Sequence, residues 1–469
     1  MSVPPSTTRS DGLTPRAVAA RVWAWRHDAV LAKLYANVLK LFTGHVFSAI
    51  VGLGAIWFAT AGLGLLAFGI LVTTLSFTHL IGNALKFSTW EAVVKYGADD
   101  LAREDNDAFK RLIAFGTLLD LGTAVAALLV CAGLAWLILP VKDVTRDYLP
   151  FVLFMSLSAF FTVSATPVGI LRLFDKFGIQ AVTQPIGPGV RVALCAVCFW
   201  QGWDLWAFGA AYLASSAVDR AVTVWLGWRE LAKRGLAPGW SHFLASKTAG
   251  HRGIWKFALS NNARISLAVV AKEADDLIVA AFLGATGVAL WKIVKQVSSV
   301  LGVPAKLFVY SVFPQLARMW SAGDYRGFRS LVLRGGAVST VGAVGVVVVY
   351  ALWGPALLDL FFFRATQKDF VAAFEPGLLF LCSRVITMFA SPFMPALTAM
   401  GRAYRNLKLA FIMTCVTVPV LILATWQFGL VGAAWSRIFT EALSCAVFGA
   451  VVMRAVDSRI RRAAAAPPA

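Results

Sequence analysis

Residues 112–139 read LIAFGTLLDLGTAVAALLVCAGLAWLIL, 28 positions in which Asp120 is the one charged side chain. A helix needs about 20 mostly apolar residues to cross the hydrocarbon of a bilayer, so this stretch spans a membrane with length to spare. Working outward, comparable stretches recur at 34–59, 66–85, 149–171, 179–201, 205–228, 257–283, 287–317, 335–361, 371–400, 409–426 and 431–453, giving twelve spans. The longer ones must include kinks, tilt or interfacial turns. Composition agrees: 59% of the 469 residues are apolar and 14% charged, and mean hydropathy is +0.73.

The breaks between spans are unequal in charge. Of 43 Lys and Arg, 29 fall on one side: the arm at 1–33, the loops after even-numbered spans, and the tail at 454–469. The other side holds four, Lys142, Arg146, Arg364 and Lys368. Short cytoplasmic loops collect Lys and Arg, so both termini are expected in the cytoplasm. The same bias, with anionic headgroups, accounts for the net charge of +19 without nucleic acid as a partner. The first 30 residues lack the compact apolar core and cleavage site of a secretory signal, and the first span is expected to stay attached.

The expected organisation is a cytoplasmic basic arm (1–33), a six-helix bundle (34–228), a cytoplasmic linker (229–256), a second six-helix bundle (257–453) and a cytoplasmic tail (454–469). Six cysteines, Cys131, Cys195, Cys198, Cys382, Cys415 and Cys445, all fall inside spans and read as packing residues. Neither a disulfide framework nor a metal site is expected. The loops opposite the basic side are short: TAGLG, PVKDVTRDY, GWD, GAT, FFRATQKDF and QFGL. None could carry the catalytic groups of an exported glycosyltransferase or polymerase. The stretches 86–111 and 229–256 hold no phosphate-cradling Gly-Lys-Ser/Thr loop, so no nucleotide cofactor and no catalytic residue is expected, and the chain reads as a non-enzyme.

The two bundles correspond weakly but in order. Leu63-Gly64-Leu65-Leu66-Ala67-Phe68-Gly69 aligns with Leu283-Gly284-Ala285-Thr286-Gly287-Val288-Ala289. Gly169-Ile170-Leu171-Arg172 parallels Ala399-Met400-Gly401-Arg402, and Phe208-Gly209-Ala210-Ala211-Tyr212 parallels Val431-Gly432-Ala433-Ala434-Trp435. Halves that each begin and end in the cytoplasm are parallel repeats about an axis along the membrane normal, with the substrate path at their interface. The expected fold is therefore an all-α membrane protein of about 12 transmembrane helices in two parallel six-helix repeats around a central cavity.

Leu63 to Gly69, Lys95-Tyr96-Gly97-Ala98, Gly169 to Phe177 (GILRLFDKF), Asp275 to Gly284 (DDLIVAAFLG), Trp291 and Phe313-Pro314 carry a resemblance over nearly the whole chain. The chain resembles the polysaccharide-biosynthesis (O-antigen type) flippases of the multidrug/oligosaccharidyl-lipid/polysaccharide exporter superfamily. It departs from the family pattern at Ala61, where an arginine is common, and at Ala289 and Trp291, where Gly and then Tyr often stand. The resemblance implies a transporter in the bacterial inner membrane that moves a polyprenyl-diphosphate-linked oligosaccharide for lipopolysaccharide, O-antigen or exopolysaccharide synthesis. Its partners would be membrane lipids and polysaccharide polymerase machinery.

Ten cations lie inside spans: Lys40, Arg191, Arg220, Arg264, Lys272, Lys292, Lys295, Lys306, Arg384 and Arg437. Each costs about 2.5–3.5 kcal/mol at a lipid-facing midpoint, so most must face protein, water or an interface. Eight acids accompany them, and Arg437 with Glu441, like Lys272 with Asp276, stand at i,i+4 on one helix face. Such pairs read as helix-steadying salt bridges. Arg264, Lys292 and Lys295 have no acid at i±3 or i±4 in their own spans, and a cationic cavity would suit a diphosphate, held bidentately by Arg and as a point charge by Lys. Arg191, Arg264, Lys272, Lys292, Lys295, Arg384 and Arg437 are the candidate substrate-binding residues. Snorkelling to headgroups is the competing reading for Lys40, Lys292 and Lys306. Asp275, Asp276, His45 and His79 are candidates for ion coupling or gating, against ordinary pairing and hydrogen-bonded packing. Pro185, Pro188, Pro304 and Pro314 fit kinks, static or moving. The alternative function is a multidrug or cation exporter of the same superfamily, which would present an acidic or apolar cavity. A membrane enzyme would need a loop domain that the spacing does not allow, and a non-transporting assembly factor is the remaining reading.

Overall fold

The structure of the protein, a computed structural model, describes residues 29–87, 89–138, 147–162, 165–244, 254–299, 315–316, 319–362 and 367–465, with the side chains of 29–46, 256–273, 357–373 and a few isolated positions outside the description. Every regular element among these residues is helical. The hydrocarbon offers no water to free N–H and C=O groups, so a spanning chain must satisfy them within itself. The helices are α1 (Ala29–Leu85), α2 (Thr89–Ala102), α3 (Asn106–Ile138), α4 (Leu149–Met155), α5 (Leu157–Phe161), α6 (Ala165–Leu173), α7 (Phe177–Thr183), α8 (Ile186–Gln201), α9 (Leu205–Lys233), α10 (Trp240–Leu244), α11 (Ile254–Ser299), α12 (Tyr325–Phe362), α13 (Gln367–Ala390), α14 (Phe393–Ala399) and α15 (Ala403–Ala465). Seven helical stretches among the described residues are long and apolar enough to cross a membrane.

Three helices are bent back on themselves at a glycine. Gly64 in α1 (φ 72°, ψ 173°) and Gly284 in α11 (φ 68°, ψ −169°) adopt nearly the same left-handed conformation, which residues with a Cβ rarely reach. Gly429 turns α15 in the same region of φ. The spans expected at 34–59 and 66–85 are thus arms of one bent helix. The first two turns are the pair matched in sequence, and they also meet in space: a Cβ on Gly69 would lie 1.9 Å from the carbonyl oxygen of Ala285. Only a glycine at 69 permits that backbone approach.

Other spans differ from expectation in detail. The stretch at 149–171 is divided among α4, α5 and α6, although Ser156, between the first two, keeps helical φ/ψ. The stretch at 371–400 breaks at Ser391-Pro392, where proline supplies no N–H to continue α13. Helix α9 runs through to Lys233, and the stretch at 229–256 also contains the short helix α10. The arm at 1–28, and Pro304 and Pro314, lie outside the described residues.

Exposed aromatics place the bilayer. Trp136, Trp200, Trp203, Trp206 and Trp426 ring the end that holds the glycine turns, and Trp225, Trp240 and Trp255 mark the other. On α9 alone, Trp206 and Trp225 are 19 residues apart, about 28 Å of helix, close to the ~30 Å of hydrocarbon. Tryptophan favours both membrane–water interfaces.

The packing is unequal at the two ends. At the turn end, one apolar core takes Phe68 from α1, Phe151 from α4, Phe208 from α9, Trp291 from α11, Phe380 from α13 and Ala433 from α15. It joins both halves of the chain. At the opposite end the cores are separate: Val93, Phe109, Ile170 and Leu231 in the first half, and Phe328, Phe393, Phe448 and Val456 in the second. Among the described residues the halves share one large core at the turn end and have divided cores at the other, where they touch through Ile254 and Trp255 of α11 on Leu112 and Phe115 of α3.

At the divided end, the Glu230 carboxylate is buried beneath Arg234 (3.1 Å) and Lys176 (3.7 Å), tying α9 to the turn between α6 and α7. Burial pushes its pKa up, but the Arg234 hydrogen bond and the Lys176 and Arg234 charges outweigh that and hold it below 4.5. A depressed carboxylate stabilises the fold above its unfolded pKa and loses that contribution as pH falls through the folded value. Glu230→Gln should destabilise by about 1–2 kcal/mol near neutrality, reduced from a fully buried pair because both cations are more than a third exposed. Thermal unfolding in detergent micelles should show variant and wild type converging as pH falls below about 4.

Candidate functional site

The charges inside the membrane are assembled by the glycine turns. Asp276 precedes Gly284 by eight residues and Lys292 follows it by eight, so both lie about 12 Å along their arms from the bend. Arg437 follows Gly429 by the same interval. At that depth the groups sit near the middle of the hydrocarbon, where an unpaired charge is most costly.

Asp276 is fully buried. Its Oδ1 accepts from Lys295 Nζ at 2.6 Å, and its Oδ2 accepts from Lys292 Nζ at 3.1 Å and from Ser76 Oγ at 3.1 Å. Ser76 belongs to α1 and the other three to α11, so this carboxylate couples the two halves. The adjacent Asp275 pairs with Arg437 of α15.

These contacts correct the sequence reading. Lys292 and Lys295 are not left without an acid: they share Asp276, which the bend returns to them. Arg437 forms its ion pair across helices with Asp275, where Glu441 was expected along its own helix. Asp276 takes partners from the returning arm and from α1, and its expected bridge to Lys272 lies outside the described residues. The side chains of Lys272, Arg264 and His45, like those of Lys40 and Lys306, lie outside the described residues.

Two adjoining cavities open beside this cluster. The inner, about 210 Å³, is walled by Ile56, Phe68 and Val72 and reached by Arg191, Lys292 and Gln296. The outer, about 370 Å³, is lined by Gln184, Arg191, Ser216, Asp219 and Arg220. His79, Pro188, Arg191 and Ser216 form the wall common to both. Pro188 lies two residues inside α8, in the first turn where a proline is tolerated.

Arg191 is fixed in place. Its Nε donates to Ser215 Oγ at 3.1 Å, and its guanidinium lies 4.7 Å from the centre of the Tyr212 ring, a cation–π arrangement. Arg220 and Asp219 are 3.8 Å apart. Arg384 lies elsewhere, 4.7 Å over Phe380, whose ring packs edge-on against Trp291. The structure therefore brings Arg191, His79, Lys292, Lys295 and Asp276 to one region, and sets Asp275 with Arg437, and Arg384, in the packing behind it. Among the described residues, Arg191, Arg220, Lys292 and Lys295, with Lys86 in electrostatic reach of Arg220, stand against the carboxylates Asp219, Asp276 and Asp120, an excess of positive charge.

Sequence reasoning gave no role to Ser76, Gln184, Tyr212, Ser216, Asp219 or Arg220. Asp219 and Arg220 could have been singled out as neighbouring charges within a span. No local signal marks the hydroxyls. Cys195 and Cys198 are buried in the joint core, and no group of potential metal ligands occurs among the described residues.

A family model described as polysaccharide biosynthesis protein matches residues 34–320. The inner membrane protein YghQ of Escherichia coli (strain K12) is 28% identical over 343 residues, covering 72% of this chain and 95% of that protein. Among solved structures, an inward-facing multidrug resistance MATE family transporter of the MOP superfamily superposes with a TM-score of 0.65 at 15% identity, over 90% of this chain and 95% of that one. A MOP superfamily transporter from Pyrococcus furiosus, described by the reverse polarity of its binding pocket, gives 0.63 at 14% identity, over 91% and 96%. At such identities the likeness establishes the fold.

Asp276→Asn should leave two lysines facing a neutral amide inside the membrane and destabilise by about 3–5 kcal/mol. Adding Lys295→Met should recover part of that loss, a non-additivity read by a double-mutant cycle on unfolding in micelles. Additive effects would mean that the two side chains do not interact.

Proposed function

Because the chain belongs to the polysaccharide biosynthesis protein family and has the fold of MOP superfamily transporters, we propose that this multi-pass membrane protein flips a polyprenyl-diphosphate-linked oligosaccharide across the bacterial inner membrane. The observation that carries the reading is the positive excess around Arg191, Lys292 and Lys295 beside a cavity at mid-membrane depth. A diphosphate is a compact dianion or more, and fixed Arg and Lys donors match it by charge and geometry.

In this reading both termini are cytoplasmic, and residues 34–228 and 257–453 act as two bundles that rock about the joint core at the turn end. The arm at 1–33, the connection at 229–256 and the tail at 454–469 face the cytoplasm. Cargo enters through the divided end, and its diphosphate draws Lys292 and Lys295 away from Asp276. That exchange loosens the bond from Asp276 to Ser76 and so couples cargo to the contact between halves. Asp276 and His79 are the groups placed to carry a coupling proton or cation. The lipid tail stays in the surrounding bilayer, and the exported oligosaccharide passes to polymerase machinery. A multidrug exporter shares the fold, but a positive cavity repels cationic drugs.

The test is flipping of a fluorescent lipid-diphosphate oligosaccharide in liposomes holding the purified protein. Wild type should transport. Arg191→Ala and Lys295→Ala should each lower the rate about tenfold or more while remaining folded, as expected for loss of a charge-assisted hydrogen bond of about 1.5–3 kcal/mol. Movement of cationic dyes in place of the lipid would establish the exporter reading instead.

A further inference from the structure

The two most exposed large apolar side chains among the described residues share one short helix: Trp240 and Leu244 of α10 are 85% and 82% exposed. They stand at i and i+4, on one face. The two residues before Leu244 fasten the helix to the first half. Phe243 stacks on Trp228 of α9, with ring centroids 6.5 Å apart. The Gly239 N–H donates to His242 Nδ1 at 3.1 Å, which leaves the proton on Nε2 to donate to Asp107 Oδ1 of α3 at 2.9 Å. Helix α10 is thus pinned with its apolar edge outward. Facing water, such an edge would be a liability; at a bilayer surface it is an anchor.

Depth along α9 says what the edge meets. Trp228 is three residues from Trp225, about 4.5 Å along the axis, so α10 lies close to the level at which Trp225 marks the interface. Lipid headgroups extend about 5–8 Å beyond the hydrocarbon on each side. Arg229 stands about 6 Å past Trp225 and Lys233 about 12 Å, which puts the first among the phosphates and the second in reach of them from outside. Both side chains are exposed. The Arg229 guanidinium lies 5.1 Å from the centre of the Trp225 ring, and Arg229 makes no ion pair among the described residues. The neighbouring acids are committed elsewhere: Glu230 is buried beneath Arg234 and Lys176, and Asp107 accepts from His242 and Arg111.

We propose that Arg229 and Lys233 of α9, with the apolar edge of α10, form a binding site for an anionic phospholipid of the leaflet at the divided end. The two cations take the headgroup phosphate, Arg229 held in position by Trp225, and Trp240 and Leu244 enter the acyl chains beside it. A zwitterionic lipid carries its own cation to the same place and gains less. The site is remote from the cavities and does not depend on what the protein carries. It bears on α3, because Asp107 of that helix holds α10 while Leu112 and Phe115, further along it, meet Ile254 and Trp255 of the second half. A lipid seated there steadies the helix on which the two halves touch.

The experiment places the full chain in phosphatidylcholine nanodiscs with a fixed minor fraction of brominated phosphatidylglycerol or brominated phosphatidylcholine, and measures tryptophan quenching. The share due to Trp240 is the difference between wild type and Trp240→Phe. Brominated phosphatidylglycerol should quench that share about threefold more than brominated phosphatidylcholine, as expected where two cations enrich an anionic lipid. Arg229→Gln with Lys233→Gln should abolish the preference, and Arg229→Lys alone, which keeps the charge, should retain it. Arg326→Gln with Arg461→Gln, exposed cations at the same end of the second half, should leave it unchanged. Unfolding temperatures in pure phosphatidylcholine near that of wild type confirm that the variants are folded. Equal quenching by the two lipids in wild type would overturn the site, as would a preference that survives the first pair of substitutions or is lost with the second. No quenching of Trp240 by either lipid would overturn it too, and would assign the edge of α10 to a protein partner.

Discussion

An ionised carboxylate taken into hydrocarbon loses hydration worth several kcal/mol even after the surroundings relax. Asp276 is in that position, with no accessible surface, and three donors replace its water. Two come from the returning arm of its own bent helix and one from Ser76 in the other half. The Gly284 bend is what makes this possible, because it carries the chain back past the depth it has just left. Without a residue able to hold φ near 68°, Asp276 would meet neither lysine, and α11 would lose its contact with α1 at mid-membrane.

The same bends set the mechanics. Gly69 against Ala285 and the large core around Trp291 and Phe208 weld the halves at one end. At the other end each half has a core of its own, and among the described residues a smaller cluster, Ile254 and Trp255 of α11 on Leu112 and Phe115 of α3, links them. Packed interiors resist gradual deformation, so the proposed rocking would have to be taken up at the cavities and at the polar contact between Asp276 and Ser76. A charged contact is well suited to that place. It is strong when dry and paired, and exchangeable once an anionic ligand competes for the lysines.

Resemblance and pattern took the reading a long way. The match of Leu63 to Gly69 with Leu283 to Ala289 marked two turns that share one backbone conformation and touch. Trp291, noticed as a departure from a family pattern, proved to be fully buried in the joint core. The pairing of charges was harder. An i,i+4 search along single helices gave Glu441 to Arg437, whereas the described partner is Asp275, and it offered Asp276 nothing from the returning arm, where Lys292 and Lys295 meet it. Equal spacing of Asp276 and Lys292 about Gly284 was present in the sequence as a hairpin signal, and counting from the turn would have found it.

What the sequence determined by itself is the class of solvent and the kind of secondary structure: apolar runs longer than a bilayer is thick admit only helices, and charge bias and glycine spacing mark where they turn. It also determined that charges are buried, since ten cations cannot all reach an interface from inside spans. Tertiary structure alone decided which charges meet, because pairing between helices depends on depth and rotation, quantities that no local period encodes. It decided too that Gln184, Ser216 and Asp219 share a wall with Arg191. Those residues come from α8, α9 and the turn before them, and hydroxyls and amides carry no periodic signature; only packing brings them to one surface.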